Sequence, residues 1–174
     1  MANICRTEIK IQGSTEAIDY FVEKYENCND GKYPNEKDTP HIVDEFGAAA
    51  ELFIDRVGSK WIQKYDVLDG GENFYWFSME SAWYPPSDML KEMHRQLVEI
   101  DPDITFTARH WDETYDPIGV IKITDARQYL QLEETPMSEE EFQEEYADDY
   151  EDRDYWEQEI EWLFGNLERQ LNIA

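Results

Sequence analysis

Gly58-Ser-Lys-Trp-Ile-Gln-Lys-Tyr-Asp-Val-Leu68, then Asp69-Gly-Gly-Glu72, then Asn73-Phe-Tyr-Trp-Phe-Ser-Met-Glu-Ser-Ala-Trp-Tyr-Pro-Pro86 is the stretch that decides the fold. Aromatic and β-branched residues run on both sides of a Gly-rich segment. That pattern predicts two antiparallel strands joined by a turn at Asp69–Glu72. Pro85-Pro86 then forces extended backbone, because each proline disfavours a helical conformation in the residue before it.

Outward from this hairpin, the periodicity changes to helical on both sides. Downstream, Ser87 is placed to cap a helix with Leu90, Met93, His94 and Leu97 on one face. Asp101-Pro102-Asp103 ends it, and Ile104, Phe106 and Ala108 alternate with Thr105, Thr107 and Arg109 as a further strand. Val120–Thr124 adds an edge strand after Pro117 and Gly119. Upstream, Thr7, Ile9 and Ile11 alternate with Glu8, Lys10 and Gln12. Ser14 or Thr15 then opens a helix with Ile18, Phe21, Val22 and Tyr25 on one stripe. Residues 27–39 read as a loop, and Pro40, Phe46, Ala49, Ala50 and Phe53 as a short helix weakened by Gly47.

The resulting order β-α-β-β-α-β predicts an α+β fold of the ferredoxin-like, split βαβ kind: an antiparallel sheet with two helices on one face. Residues 1–130 form this domain, with an inserted loop and helix at about 27–56, and residues 131–174 an acidic helical C-terminal extension. A length of 174 residues suits one domain with an appendage.

With 41% hydrophobic and 14% aromatic residues the chain has too much large apolar surface to stay disordered. Its outlying property is charge: 41 Asp and Glu against 15 Lys and Arg, a formal net of −26. Such a field repels nucleic acid and anionic membrane and favours encounter with basic surfaces. No direct nucleic-acid contact and no membrane contact are expected, and any macromolecular partner should be positively charged. Cys5 and Cys28 have neither C-x-x-C spacing nor the company of a disulfide framework, no stretch approaches a membrane span, and the first residues lack the apolar run of a signal peptide. A cytoplasmic protein with reduced thiols is expected.

The opening Met1-Ala2-Asn3-Ile4-Cys5, the turn Gly58-Ser59-Lys60-Trp61 and the segment Ser81-Ala82-Trp83-Tyr84-Pro85-Pro86 together resemble the Api92-like family of phages, prophages and bacterial plasmids. The resemblance spans residues 1–123 and departs at Ile4, where the family commonly has Trp, and at Ser59, where Thr is usual. It implies a ferredoxin-like domain and a mobile-element origin, hence a bacterial host cytoplasm, and it carries over no active site. The acidic tail is not part of the family pattern.

Several residue sets bear on chemistry. Trp61, Tyr65, Tyr75, Trp76, Phe77, Trp83 and Tyr84 resemble the stacking platform of sheets that bind single-stranded RNA, but the basic groove and the RNP pattern are missing. Core or partner-binding aromatics are the better reading. His110-Trp-Asp112-Glu113, with His41 and His94 elsewhere, offers ligand and acid/base side chains without a metal spacing, and His94 falls in an apolar helical stripe. Asp148 to Asp154 lacks the spacing of a calcium loop. Phosphate loops and nucleophile elbows are absent from the sequence. No enzymatic activity, cofactor or metal is expected.

The tail is more telling. From residue 131 onward sixteen carboxylates face Arg153 and Arg169, a net of −14. Ser138-Glu-Glu-Glu141 matches a capping box, with Phe142, Tyr146 and Tyr150 behind it. If residues 139–161 are helical they span about 33 Å at 1.5 Å per residue, with thirteen carboxylates and one Arg. That is about one net charge per 3 Å, close to the phosphate spacing along a DNA strand. The functional reading is DNA mimicry: Glu140, Glu141, Glu144, Glu145, Asp148, Asp149, Asp152 and Asp154 supply charge and Tyr150 and Trp156 anchor a basic, nucleic-acid-binding host protein, such as a defence protein, which is thereby inhibited. A bland reading also stands, in which the charge serves solubility alone. Ile160, Leu163, Leu167 and Leu171 form a stripe that needs burial, either on the domain's own sheet or as an oligomer seam in a homodimer. Two other readings stay open: a small-ligand or enzymatic module with a cleft near Trp61, Trp83, His110 and Glu113, and a non-catalytic assembly protein.

Overall fold

The protein is described by a computed structural model, over residues 3–26, 62–124, 128–138, 140–141 and 154–173. Strand β1 (Ile4–Gln12) leads into α1 (Thr15–Phe21), which continues as a π-helical turn (Val22–Glu26). After the hairpin β2 (Ile62–Gly71) and β3 (Phe74–Ala82) come α2 (Ser87–Leu97), β4 (Thr105–Asp112), β5 (Ile118–Ile123), β6 (Tyr129–Glu134) and α3 (Asp154–Gln170). This is an α+β fold with one six-stranded antiparallel sheet, in the order β2-β3-β1-β4-β5-β6. β3 lies between β1 and β2, and β1 between β3 and β4, so both helical connections skip a strand.

Period-two alternation is what sorts the sheet's two faces. On β1, Cys5, Thr7, Ile9 and Ile11 are buried and Arg6, Lys10 and Gln12 exposed. Ile9 and Ile11 meet Phe77, Met79 and Phe106 from neighbouring strands, Phe21 from α1, Tyr25 from the π-helical turn and Leu90, Met93 and Leu97 from α2. The Phe21 ring lies 5.3 to 5.4 Å from Tyr25, Tyr75 and Phe77, a spacing at which tilted aromatic pairs attract. Ser14 caps α1, its side chain accepting from the Ala17 amide, while the Asp101 carboxylate accepts from the Ser14 amide. His94 is a packed histidine, fully buried, with Nε2 3.0 Å from the Ile104 carbonyl oxygen.

Three local expectations need correction. The β2–β3 turn is Glu72-Asn73, and Asp69, Gly70 and Gly71 belong to the strand, paired with Trp76, Tyr75 and Phe74. The glycines make room for rings: a Cβ on Gly71 would lie 2.6 Å from the Phe74 ring. Ser87 starts α2 without capping it, since its hydroxyl instead faces Pro85 and receives the Tyr129 hydroxyl at 2.8 Å. Residues 131–134, read as the start of a helical extension, belong to strand β6. Its alternation is masked in the sequence because Glu133 and Glu134 follow Leu132 directly.

The second face of the sheet is covered by α3 over its β4–β6 half. Ile160, Leu163, Phe164, Leu167 and Leu171 pack on Ile118 and Val120, flanked by Trp111, Tyr115 and Leu132. The stripe expected as an oligomer seam is thus buried within the chain. An isolated helix of this length gains little from propensity, whereas five buried apolar side chains contribute on the order of 1.5–3 kcal/mol each before entropy is charged. Engaging a second copy through this stripe would require α3 to leave the sheet. No described helix is long and apolar enough to cross a membrane. The inserted loop and helix expected at about 27–56 lie outside the described residues.

Candidate functional site

Two cations on the sheet fix the position of α3. Arg109 Nε and Nη2 donate to the two carboxylate oxygens of Glu168 at 2.7 and 3.0 Å, and Nη1 donates to Glu161 at 2.9 Å. The guanidinium also sits 5.1 Å from the Phe164 ring. A planar fork is suited to this geometry, in which one carboxylate is held bidentately and a ring is covered at once. The hydrogen bonds to Glu168 outweigh burial and raise the Arg109 pKa above its ordinary value. At the other end, Lys122 Nζ donates to the carbonyls of Leu171 and Asn172 at 3.0 and 2.6 Å, placing positive charge on the helix C-terminus.

With its apolar stripe spent on the sheet and Glu168 held by Arg109, α3 leaves part of its surface exposed. Glu157, Glu161 and Trp162 are exposed, Trp162 by 56%. The antiparallel register puts the end of β4, the start of β5 and the end of β6 at one end of the sheet. The first half of α3 is at that end too, since Glu157 and Ile160 line a groove with Trp111 and Tyr115. Glu113, Asp116, Glu133 and Glu134 are exposed there, and the Thr135 hydroxyl donates to Asp116 at 2.9 Å. The acidic chain therefore leaves the sheet and returns to it at the same end. Its first turn carries the expected capping box: Glu141 N–H donates to Ser138 Oγ at 3.2 Å, and the Ser138 amide and hydroxyl donate to the Glu141 carboxylate at 3.1 and 2.8 Å. These bonds lower the Glu141 pKa.

Of the partner-binding residues expected from sequence, Glu140 and Glu141 are exposed beside this cap. Asp154 and Trp156 lie in the first turn of α3. Glu144, Glu145, Asp148, Asp149, Tyr150 and Asp152 lie outside the described residues, as does Trp61.

The cleft expected near Trp83, His110 and Glu113 is differently arranged. Trp83 is exposed at the end of β3 with a φ of 66°, and Glu113 is exposed in the turn after β4. His110, by contrast, is 2% exposed beneath Gly119, with Gln131 Nε2 at 3.5 Å and Glu133 Oε1 at 3.6 Å. Burial pulls the His110 pKa down to about 4. The carboxylate 3.6 Å away is partly exposed and does not offset that cost. The ring is neutral at pH 7 and is not presented to solvent, so His110 offers no accessible acid, base or ligand. The aromatics of the hairpin divide between the faces: Tyr75 and Phe77 enter the core, as the preferred reading has it, while Trp76, on the opposite face, is exposed.

A second groove, of about 300 Å³, lies where the uncovered part of the sheet meets the C-terminal end of α3. Lys10, Gln12, Trp76 and Thr107 line it together with Glu8, Ala108 and Ile173, with Arg109 and Glu168 as its wall. Sequence reasoning missed both this groove and the Arg109 clamp. The available signal was Glu161 and Glu168, seven residues apart and flanking the apolar stripe, facing a strand whose outward residues include an arginine. Compared with known proteins, the chain matches no family model, no curated protein and no solved structure.

Proposed function

We propose that the chain is a non-catalytic binding protein whose acidic surface occupies the basic, nucleic-acid-binding surface of another protein and excludes nucleic acid there. The observation that carries this reading is the docking of α3. Because Ile160, Leu163, Phe164, Leu167 and Leu171 are consumed by the sheet, Glu157 and Trp162 of α3 are left exposed, with Glu113, Glu133 and Glu134 exposed at the end where the acidic segment departs and returns. Exposed carboxylates with an aromatic anchor suit a partner rich in Arg and Lys, since carboxylates accept from such side chains much as phosphates do. The charge donors are Glu140, Glu141, Glu144, Glu145, Asp148, Asp149, Asp152 and Asp154, with Tyr150 and Trp156 as anchors. The target is a host bacterial protein, and the chain an accessory protein of a phage or other mobile element, in line with the resemblance of residues 1–123.

For the fold, the sequence of neighbours β2-β3-β1-β4, all antiparallel, with a helix joining β1 to β2 and another joining β3 to β4, supports a ferredoxin-like reading of that part. β5, β6 and α3 are then additions that extend the sheet and cover its second face.

The test is an affinity capture from bacterial lysate treated with nuclease, washed at low and then high salt and identified by mass spectrometry. A nucleic-acid-binding protein should elute at high salt, and its retention should be lost with the fourfold variant Glu140→Lys, Glu141→Lys, Glu144→Lys, Glu145→Lys, whose substitutions leave the apolar stripe of α3 untouched. Equal retention by that variant with the same salt dependence would refute the proposal. So would a captured protein that binds its nucleic acid equally well with and without the chain.

A further inference from the structure

The groove of about 300 Å³ beside the α3 C-terminus combines features that the acidic surface does not use. In the strand register Thr107, Lys10 and Trp76 stand directly opposite one another on β4, β1 and β3. Neighbouring side chains in such a row are about 5 Å apart at Cβ, so one small molecule touches all three. Gln12 lies in the next row, between Thr105 and Phe74.

The charge state of this row is distinctive. Among the described side chains, Arg6 pairs with Glu8, Lys91 with Asp88, Arg95 with Glu92 and Arg109 with Glu161 and Glu168. Lys24 donates to Gln96, Lys122 to backbone carbonyls and Arg169 to Asn166. Lys10 has no oxygen partner among the described residues, and its ammonium lies 5.6 Å from the Phe74 ring centroid. In a chain of net charge −26, a cation left without a carboxylate and placed in a concavity beside an exposed indole is a specific arrangement. The two acids that line the groove are paired with other cations: Glu8 is 3.4 Å from Arg6, and Glu168 is held bidentately by Arg109.

We propose that this groove binds a small organic anion, an aromatic or heteroaromatic ring system bearing one phosphate or carboxylate group. The ring stacks on Trp76, the oxyanion accepts from Lys10, and Thr107 and Gln12 supply the remaining hydrogen bonds. Arg109, saturated by its two glutamates, shapes the wall and keeps α3 in place. Neither half of the ligand suffices. The long-range field of the molecule opposes a bare anion, and only its local pairing with Lys10 survives screening over about 8 Å at physiological salt. A bare ring gains stacking on one exposed indole alone. A groove of about 300 Å³ is at the small end of ligand pockets, enough for one ring system with its anionic group, oriented by a few polar groups.

The experiment is a titration of the ¹⁵N-labelled full chain followed at the Trp76 indole N–H resonance, assigned by its loss in Trp76→Phe. The probes are AMP and benzoate, with adenosine and inorganic phosphate as the half-ligands. A saturable shift with AMP identifies the phosphate source of the anion, and one with benzoate the carboxylate source. Either should weaken by about tenfold or more in Lys10→Gln, the loss of one charge-assisted hydrogen bond. Trp76→Phe, which keeps a stacking ring, should retain binding measured at the Gln12 side-chain amide, and Trp76→Thr should lose it. Lys10 and Trp76 are exposed, and unchanged circular dichroism checks each variant's fold. No saturable shift with AMP or benzoate overturns the proposal, as does unchanged affinity in Lys10→Gln or adenosine binding as tightly as AMP.

Discussion

Replacing Gly119 by Ala tests the packing of the buried polar side chain on which the β4–β6 half of the sheet closes. Gly119 pairs with His110 across β4 and β5. A Cβ there would lie 2.2 Å from His110 Nε2, 2.5 Å from Cε1 and 3.0 Å from Glu133 Cγ. The imidazole must move by more than 1 Å or leave its site, and overpacking of this kind costs about 1–3 kcal/mol. Alanine recovers about 0.5–1 kcal/mol over glycine in a strand, so the expected net loss is about 0–2.5 kcal/mol. His110→Ala in the same chain removes the clash, and the two changes should couple favourably by about 1 kcal/mol or more. The assay is urea unfolding by circular dichroism at pH 7.5 for wild type, both single variants and the double variant. Strictly additive variants would refute the assigned contact. The same site has a pH signature. With the folded pKa near 4 and an unfolded value near 6.5, the unfolded chain binds the proton more readily. The stability linked to the neutral ring is whole above about pH 6.5 and is lost as pH falls towards 4, by up to about 3 kcal/mol at 1.36 kcal/mol per unit. His110→Ala should lack that component.

Arg109→Met should destabilise the chain by about 1–2 kcal/mol in urea unfolding, a figure discounted because the side chain is about one-third exposed, and leaving two carboxylates near each other unpaired is most of that cost. An unchanged midpoint would show that the clamp contributes nothing. Leu167→Ala removes a side chain 3% exposed in the α3 seam and should cost about 2–4 kcal/mol. Limited proteolysis should then cut within residues 154–170 well before the rest of the sheet, and uniform cleavage would contradict docking of α3 as a separable layer. Cys5 is buried and its thiol pKa is pushed up to about 12, chiefly by desolvation. Peptide mapping after iodoacetamide at pH 8 should find it unmodified in the native chain and modified in urea, and native labelling would contradict its burial.

The sequence by itself determined the elements whose periodicity is local. Alternation in Thr7 to Gln12 and in Ile104 to Arg109, helical spacing in Ile18 to Tyr25 and in Leu90 to Leu97, and the capping box at Ser138 each needed only neighbouring residues to be read, and the structure has them. The acidic surface was legible for the same reason, because charge is a property of composition. Tertiary structure decided what depends on partners far along the chain. Gly70 and Gly71 mark a turn when read locally, yet they lie in a strand because the rings of Tyr75 and Phe74 fold over them. β6 was hidden by its acidic end and exists because β5 offers it a free edge to pair with. The stripe Ile160 to Leu171 announced that it must be buried but not against what. The answer came from Ile118 and Val120, some forty residues away in sequence, and from Arg109, which reaches Glu161 and Glu168 only once the sheet is formed. The groove of Lys10, Trp76 and Thr107 is of the same kind: three strands distant in sequence come into one row only through register, which no single stretch encodes.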